Sequence, residues 1–558
     1  MTVFNRDQIE SRLIKRIEDY ERGYRQNVAL IGGSGVGKTR TLIHFLDSLK
    51  ARAGLMPVYL PLKDIAPAHL HSFWISKILN AAFDSAETDL DCLLNSCESN
   101  LPQTTKAARH ILKLLKNGNS PMATRELFAL SGQLAEESGR KAVLVLDEFL
   151  GLEKMGIQDV YSIFGSRLMM EKEVLFIVSS SEPRRAREIF SEKLALLFNN
   201  FEIIEMQPFD FQEMSRSIDK RVCGTHLSLP ARRFLFRLTS GEPRYLDTIL
   251  QALDDFVCLD PRRPLGVAAL FEAVIREVLE ENGRIALEFQ KKIASFRRSG
   301  RERESIFIEA AAAFGTAGRL KPGQLASMTG IKVTESKKLM QRMHAENWLV
   351  MNGISGTLRD PLFRFWAREY LAPLCHGRLA NGLARRVKWT RKLGELYEIG
   401  LESDSNRLVS RLESLLKHFK SESINLLGRR VPGAVFSDCA GMTLADNEFV
   451  VKAQSSKDTR LFLMTMDEIA ESTIERFLAL TGTPKKPLRR VVIAVAGIEQ
   501  NARLLAQQSR IEIWDGDFFN ALLDFFGLPK VIVEKPMTIW GHTTTSEGLP
   551  LLFSGHAS

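Results

Sequence analysis

The stretch Ile31-Gly-Gly-Ser-Gly-Val-Gly-Lys-Thr-Arg40 decides the fold of this 558-residue chain. It follows the apolar run Val28-Ala-Leu-Ile31, and residues 32–39 match the pattern G-x-x-x-x-G-K-S/T in full. Glycines let consecutive backbone N–H groups turn toward phosphate oxygens, while Lys38 reaches the terminal phosphates and the Thr39 hydroxyl ligates Mg²⁺. The sequence therefore predicts a strand, a phosphate-binding loop and a helix over about 38–49 whose positive end faces the anion. The predicted nucleotide contacts are Gly32, Gly33, Ser34, Gly35, Val36, Gly37, Lys38, Thr39 and Arg40.

A second signal is the run Lys141-Ala-Val-Leu-Val-Leu-Asp-Glu-Phe149. Its five consecutive apolar residues predict a strand that is buried on both faces. Asp147 would hold Mg²⁺, and Glu148 would polarise the attacking water as general base in phosphoryl transfer. A solvated acidic turn is the alternative, and the phosphate loop makes it the less favoured one.

A third apolar run, at 174–178, ends in Ser179-Ser-Ser181. Because ligands bind at the carboxyl ends of parallel strands, Ser179 is a candidate for holding the attacking water. The alternative is a serine-rich helix cap before Glu182-Pro183. Further strands at 56–61 and 201–206 complete a predicted parallel α/β sheet.

This ordered set resembles the P-loop ATPases with an added catalytic glutamate, specifically the AAA+ and STAND branch and its "archaeal ATPase" group. Phe4-Asn-Arg-Asp7 looks like the F-x-x-R segment near the adenine, and Gly241-Glu-Pro243 is similar to the G-x-P motif of the helical lid. Asp360-Pro-Leu-Phe-Arg-Phe-Trp366 looks like the D-P-L-x-R-F-W stretch after the winged helix. Over roughly residues 1–370, the resemblance implies ATP and Mg²⁺ as cofactors, ATP hydrolysis, and a homo-oligomer in the ATP state.

In such ATPases an arginine contacts the γ-phosphate from the lid or from a neighbouring subunit. Arg244 is the lid candidate, so the predicted catalytic set is Lys38, Asp147, Glu148, Ser179 and Arg244. An intersubunit arginine finger could come from Arg184, Arg185 or Arg187. For each of these, a solvated surface arginine is the alternative.

Residues 301–372 show the order of a winged helix-turn-helix, with helices at 307–314, 324–328 and 333–347 and a hairpin near 349–358. In a DNA reader the third helix enters the major groove. The candidate DNA contacts there are Lys332, Lys337, Lys338 and Arg342. The alternative is a winged helix that contacts only its own ATPase module.

Two basic stretches flank this segment, at 291–303 and 385–392. Arg385, Arg386 and Lys388 stand beside Trp389. Such basic residues would bind phosphate, and the tryptophan would stack on a base. A solvated helix face is the alternative for each stretch. Together they support double-stranded DNA as a partner.

From about residue 395 the pattern is α/β again and looks like a restriction-endonuclease core, with strands at 434–436, 448–454, 490–496 and 511–514 and a helix at 466–480. That family needs an Asp and then E-x-K to hold Mg²⁺. Here Asp438 and Lys452 are present, but Val450 stands where the glutamate belongs, and Glu448 is one pleat, roughly 7 Å, further away. We therefore favour an inactive, structural or DNA-clamping domain over a nuclease.

Composition places limits on the whole chain. The net charge of +9 and pI of about 9.1 suit a polyanionic partner. No apolar run reaches membrane-spanning length, no signal peptide is apparent, and the six cysteines form no CxxC pair. A reduced, cytoplasmic location is expected. The predicted domains are an ATPase core (1–210), a helical lid (211–300), a winged helix (301–372), a basic linker (373–400), a restriction-endonuclease-like domain (401–533) and a flexible tail (534–558).

Together these features predict an ATP-driven switch that acts on DNA in transposition, plasmid or phage handling, or defence. Two alternatives stay open: an ATP-governed, metal-dependent DNA nuclease, and a STAND-type signalling scaffold that binds an unidentified protein without touching DNA.

Overall fold

In the computed structural model the chain divides into two units, residues 1–209 with 242–244, and residues 210–241 with 245–558. The structure describes residues 6–63, 65–83, 85–194, 201–221, 227–259, 266–298, 304–378, 381–401, 408–480, 487–534, 538–539 and 542–543. Phe4 and Asn5 of the F-x-x-R segment, Arg301 and Arg303, and most of the predicted tail lie outside these ranges.

The first unit is built on a parallel five-stranded sheet in the order β2-β3-β4-β1-β5. Its strands are β1 (Asn27–Gly32), β2 (Leu55–Pro61), β3 (Lys141–Asp147), β4 (Val174–Ser180) and β5 (Phe201–Met206). Each strand lies where the sequence predicts one, so the α/β fold with a parallel sheet is confirmed. Because β4 lies between β1 and β3, the serines are placed between the phosphate loop and the acidic pair.

Helices cover both faces of this sheet. Val28 and Leu30 pack into one buried cluster, and Ala29 and Ile31 into another, because alternate strand residues point to opposite faces. The helices are α1 (Asp7–Glu21), α2 (Lys38–Leu49), α3 (Leu70–Phe83), α4 (Leu90–Cys97), α5 (Pro102–Lys116), α6 (Ser120–Ser138), α7 (Val160–Met170) and α8 (Pro183–Glu188), with shorter helical turns at Pro67–His69, Phe149–Met155 and Ile189–Lys193.

The second unit begins with helices. The segment after them, within residues 301–372, shows the predicted order of three helices and a hairpin. The helices of its first part are α9 (Phe211–Arg221), α10 (Leu229–Thr239), α11 (Pro243–Leu259), α12 (Val267–Val274), a turn at Ile275–Leu279, and α13 (Arg284–Arg298). There follow α14 (Glu304–Ala317), β6 (Arg319–Leu320), α15 (Pro322–Thr329), α16 (Val333–Ala345), β7 (Leu349–Asn352) and β8 (Ser355–Leu358). The three strands pair antiparallel in the order β6-β8-β7. The designation as a winged helix-turn-helix stays a prediction.

The segment predicted as a basic linker is mostly helical. It contains α18 (Ala372–Cys375) and α19 (Gly382–Glu398), after α17 (Pro361–Trp366) and a turn at Ala367–Leu371. Trp389 of α19 is 1% exposed, and its indole Nε1 donates to the Glu369 carbonyl at 3.2 Å. The prediction that Trp389 stacks on a base is therefore wrong, because its ring belongs to the interior.

The C-terminal part has a mixed five-stranded sheet in the order β11-β12-β13-β14-β15, antiparallel up to β13 and parallel from there to β15. Helices α20 and α23 pack on one face, and α21 and α22 on the other. The elements are α20 (Leu408–Lys417), β9 (Ile424–Leu426), β10 (Arg429–Val431), β11 (Phe436–Ala445), β12 (Glu448–Ser455), β13 (Thr459–Thr465), α21 (Glu471–Ala479), β14 (Leu488–Ala494), α22 (Gln500–Gln508), β15 (Glu512–Asp515), α23 (Gly516–Phe525), β16 (Thr538–Ile539) and β17 (His542–Thr543).

Two predicted elements differ here. The first strand does not occupy 434–436 but begins at Phe436 and runs to Ala445, and the helix predicted at 466–480 begins only at Glu471. Strand β11 is a sheet edge whose residues are mostly exposed, so it lacks the alternating apolar pattern. No helix among the described residues is long and apolar enough to cross a membrane.

Candidate active site

The phosphate loop connects β1 to α2, and two of its glycines are required by the backbone. Gly35 has φ +91° and Gly37 φ +96°, which L residues rarely adopt. A side chain at Gly35 would also collide with Glu242 and would reach within 3.1 Å of the Arg244 Nε. The Gly-Glu-Pro-Arg stretch thus lies against the loop, which is where the sequence places the candidate lid arginine.

Lys38 is buried, with 4% of its surface exposed. Its Nζ donates to the carbonyls of Gly32 at 3.0 Å and Gly33 at 2.8 Å, and to the Ser181 hydroxyl at 2.9 Å. Burial lowers the pKa of Lys38, and the nearby carboxylates, first that of Glu148, oppose this shift. The ammonium group therefore sits between the loop and the acidic strand, in position to bind an anion held by the loop.

Asp147 is also buried and accepts hydrogen bonds from three hydroxyls. Oδ2 accepts from Thr39 Oγ1 at 2.6 Å and from Tyr59 OH at 2.7 Å, while Oδ1 accepts from Ser179 Oγ. The adjacent Thr39 hydroxyl and Asp147 carboxylate are hard oxygen ligands of the kind that Mg²⁺ prefers, so the donor set fits this ion.

Tyr59 is a member of the site that the sequence did not predict. Its strand β2 pairs with β3 in register Tyr59 to Val145, which brings its hydroxyl to Asp147. Burial raises the pKa of Tyr59, and the hydrogen bond to Asp147 adds to the effect. Only the strand pairing reveals this contact, since nothing in the sequence of β2 marks the tyrosine.

The Glu148 carboxylate is held by Ser181. Glu148 Oε2 accepts from the Ser181 backbone N–H at 2.9 Å, and Oε1 from the Ser181 hydroxyl. The hydroxyl predicted to face the attacking water, that of Ser179, instead donates to Asp147 and accepts from the Glu148 N–H at 3.0 Å. Ser179 is fully buried and is engaged in these contacts, so Ser181 and not Ser179 is the serine that contacts both the Glu148 carboxylate and Lys38.

Arg6 belongs to the F-x-x-R segment and is 5% exposed. Its Nη2 donates to the Val36 carbonyl at 3.3 Å and the Gln207 carbonyl at 2.6 Å, and its guanidinium lies 4.4 Å from the centre of the Phe209 ring. Arg6 thus links the phosphate loop to the segment that follows β5.

The three arginines after β4 differ in their partners. Arg185 pairs with Glu153, and Arg187 with Glu205 at 2.5 Å. Arg184 is exposed and forms no ion pair with any described residue. Of the three, Arg184 is therefore the one whose charge remains available to a neighbouring subunit.

The DNA candidates on α16 fall into two groups. Lys332, Lys337 and Lys338 are exposed and form no ion pair within the described part of the chain. Arg342 turns inward: its Nη2 donates to the Phe296 carbonyl at 2.6 Å, and its guanidinium lies 4.0 Å from the centre of the same ring. The prediction that Arg342 contacts DNA is therefore wrong, because these partners occupy it.

The candidates on α19 are also divided. Arg386 pairs with both Glu272 and Glu280, and Arg385 lies 3.9 Å from Glu281. Lys388 is exposed and has no ion-pair partner among the described residues. Of the three predicted contacts, the structure leaves only Lys388 with its charge uncompensated.

The suspected nuclease remnant is not assembled. Glu448 is 8% exposed and accepts from Thr473 Oγ1 at 2.8 Å and Arg476 Nε at 3.1 Å. Asp438 and Lys452 are exposed on neighbouring strands. Within the described ranges, no group of three or more His, Cys, Asp or Glu side chains could hold a metal ion.

No protein-family model and no curated protein matches the chain. Solved structures with a similar fold include a Walker-type ATPase of Pyrococcus abyssi, with 14% identity and a TM-score of 0.45 over 65% of this chain and 96% of that one. The Aeropyrum pernix ORC2 protein, solved as ADPNP–ADP complexes, has 12% identity and a TM-score of 0.45 over 67% and 95% of the two chains. The ORC1 protein of that organism, solved in complex with DNA, has 13% identity and a TM-score of 0.39 over 68% and 96%.

Proposed function

We propose that the chain is an ATP-binding and ATP-hydrolysing molecular switch that acts on DNA or is recruited to it. The observation that carries this proposal is the hydrogen-bonded set at the carboxyl edge of the first sheet. There the Ser181 hydroxyl accepts a hydrogen bond from Lys38 and donates one to Glu148, and the Thr39 hydroxyl donates to Asp147. The loop binds the phosphates through its N–H groups, and the acidic pair supplies a metal ligand and a base.

Each side chain has a distinct role. Lys38 binds the terminal phosphates, and Thr39 with Asp147 would hold Mg²⁺, which neutralises charge that develops on the phosphates when it is bound. Glu148 accepts the proton of the attacking water. Ser181 positions the Glu148 carboxylate and contacts the Lys38 ammonium group, so it links the base to the phosphate-binding group.

The lid contact supplies the switch. Glu242 and Arg244 lie against Gly35 of the phosphate loop. Loss of the terminal phosphate would therefore alter the contacts of the segment that enters α11. Differential contact with the two nucleotide states is what a switch requires. We assign Arg244 to the γ-phosphate and Arg184 to a neighbouring copy of the chain in an ATP-dependent homo-oligomer.

DNA is the proposed macromolecular partner. Lys332, Lys337 and Lys338 form an exposed cationic surface on and just before α16, and the chain carries a net charge of +9. Lys388 adds a further uncompensated cation. Phosphate contacts of this kind give sequence-independent affinity that falls steeply with salt.

The first test is ATP turnover with and without duplex DNA, for the wild type, Lys38→Ala and Glu148→Gln. We expect turnover that DNA stimulates and that both variants abolish. Glu148→Gln should still bind ATP, because the loop and Lys38 are unchanged. Absence of turnover in the wild type despite tight ATP binding would contradict the hydrolytic part of the proposal.

The DNA arm separates the alternatives. Turnover that is unaffected by DNA, together with salt-insensitive or absent DNA binding, would favour a signalling scaffold with a protein partner. Plasmid nicking that is lost in Lys452→Ala would favour a nuclease. The engagement of Glu448 by Arg476 argues against the nuclease, since the carboxylate is already neutralised. Neighbouring genes would distinguish transposition, plasmid or phage handling, and defence.

A further inference from the structure

The second unit contains a cavity of about 590 Å³ that no part of the proposed ATPase mechanism uses. Its walls come from the end of α10, the turn between α14 and β6, helix α17, the end of α19, and residues 524–530 around the end of α23. The volume lies within the range of roughly 300–1,000 Å³ that small-molecule sites occupy. The cavity thus has the size of a ligand site rather than of a packing defect.

The lining of the cavity is strongly basic. Its only carboxylate among the described lining residues is Asp524, against the five cations Arg237, Arg319, Arg364, Arg368 and Lys530. Asp524 is already bound by Arg364, whose Nη1 and Nη2 each lie 3.3 Å from it. Arg368 pairs with Glu369 at 2.7 Å. These pairs neutralise two of the five cations.

Of the other three cations, Arg237 donates from Nη1 to the Ile399 carbonyl at 3.2 Å. Arg319 and Lys530 form no ion pair with any described residue. The Arg319 guanidinium lies 4.9 Å from the ring centres of both Phe525 and Phe526, and burial lowers its pKa. The Glu422 carboxylate opposes this lowering of the Arg319 pKa, but its ion pair is with Lys321 at 2.7 Å. Lys530 Nζ donates a hydrogen bond to the Ser240 hydroxyl at 3.3 Å. A partly buried cation without a counter-charge is costly, so the cavity favours an anion.

The rest of the cavity wall indicates what kind of molecule bears the anionic group. The cavity also has an apolar wall, formed by Phe234, Leu238, Phe365, Leu396 and Leu528. An inorganic ion would leave this surface in contact with water, whereas an organic body would cover it. Arginine is the side chain best suited to phosphate, because its planar fork donates two parallel hydrogen bonds.

We propose that this cavity is a second ligand site, which binds a phosphate-bearing small molecule of about nucleotide size. Arg319 and Lys530 hold the phosphate, and the apolar wall receives the organic body. The site is independent of the proposed ATPase function, since none of its lining residues belongs to the phosphate loop or the acidic strand.

The test is isothermal titration of the full-length Lys38→Ala chain with AMP, GMP and UMP, because this background weakens binding at the phosphate loop. Inorganic phosphate and adenosine are titrated in parallel. The cavity variant is Arg319→Gln combined with Lys530→Gln. The matched control is Lys113→Gln combined with Arg125→Gln, which removes the same charges at exposed positions of α5 and α6.

We expect at least one of the three nucleotides to bind with one-to-one stoichiometry, and at least tenfold more tightly than phosphate or adenosine. Binding should weaken at least tenfold in the cavity variant and stay unchanged in the control. Arg319→Lys keeps the charge but loses the two-bonded fork, so its affinity should fall between those of the wild type and the cavity variant. This partial retention guards against loss by misfolding. The proposal is overturned by no binding of any nucleotide, by equal binding to cavity and control variants, or by phosphate or adenosine binding as tightly as the nucleotide.

Discussion

Replacing Ser181 with alanine tests how the site holds its proposed base. Ser181 donates to the Glu148 carboxylate from both its N–H and its hydroxyl, and the same hydroxyl accepts from Lys38. The substitution removes the hydroxyl and leaves the backbone bond. A hydrogen bond to a charged group contributes about 1.5–3 kcal/mol. If that contribution is realised in the transition state, kcat for ATP hydrolysis should fall roughly 10- to 100-fold.

The assay is steady-state phosphate release over a range of ATP concentrations. KM should change little, because the loop N–H groups and Lys38 still bind the phosphates. Ser180→Ala is the matched control, since its hydroxyl accepts only from the Glu182 N–H in the described contacts, and it should leave kcat nearly unchanged. Ser181→Thr keeps a hydroxyl and should recover part of the loss. A kcat for Ser181→Ala within twofold of wild type, with Glu148→Gln inactive, would refute the positioning role.

Three further outcomes follow from the geometry. Gly35→Ala should weaken ATP affinity roughly tenfold in isothermal titration, because an L residue in the left-handed region costs roughly 1–2 kcal/mol; unchanged affinity would mean that the loop rearranges on binding. Lys337→Gln combined with Lys338→Gln should reduce the slope of log affinity for duplex DNA against log salt by about 1–2, and an unchanged slope would exclude contact through α16. Arg476→Ala should lower the free energy of unfolding in urea at neutral pH, since the buried Glu448 loses its cation. Burial alone would raise the pKa of Glu448, but its hydrogen bonds, first that from Arg476, hold it below the ordinary value. The difference between variant and wild type should therefore shrink as pH falls and the carboxylate becomes protonated, and a pH-independent difference would contradict this reasoning.

The first sheet could be predicted because its signals are local. A glycine-rich loop after an apolar run, and an acidic pair after another, each specify their own strand within ten residues. Helix α2 begins and ends where the sequence predicts, at Lys38 and Leu49. The sequence also predicts that Thr39 and Asp147 hold the same metal ion, and the structure places Thr39 Oγ1 2.6 Å from Asp147 Oδ2.

The errors concern contacts between residues that are distant in sequence. Arg342 and Arg386 are basic residues on helices, which in sequence look the same as their exposed neighbours. Only folding brings Phe296 to the first and two glutamates to the second. Charge patterning therefore predicts which face of a helix is polar, but not which cations on that face are already neutralised. The bounds of strand β11 were predicted wrongly for a related reason, because an exposed edge strand has no buried face to produce an alternating pattern.

The choice between Ser179 and Ser181 depends on one feature of the backbone. Glu148 has φ 56° and ψ 58°, a left-handed conformation that costs a non-glycine residue about 1–3 kcal/mol. Ser179 compensates in part by accepting the Glu148 N–H, and this turn sends the carboxylate across to the end of β4, where Ser181 holds it. In an ordinary extension of β3 the Glu148 side chain would instead point to one face of the sheet. The strained residue is thus the one assigned as base. The buried Ser179 supports its backbone, whereas the half-buried Ser181 contacts the phosphate-binding Lys38.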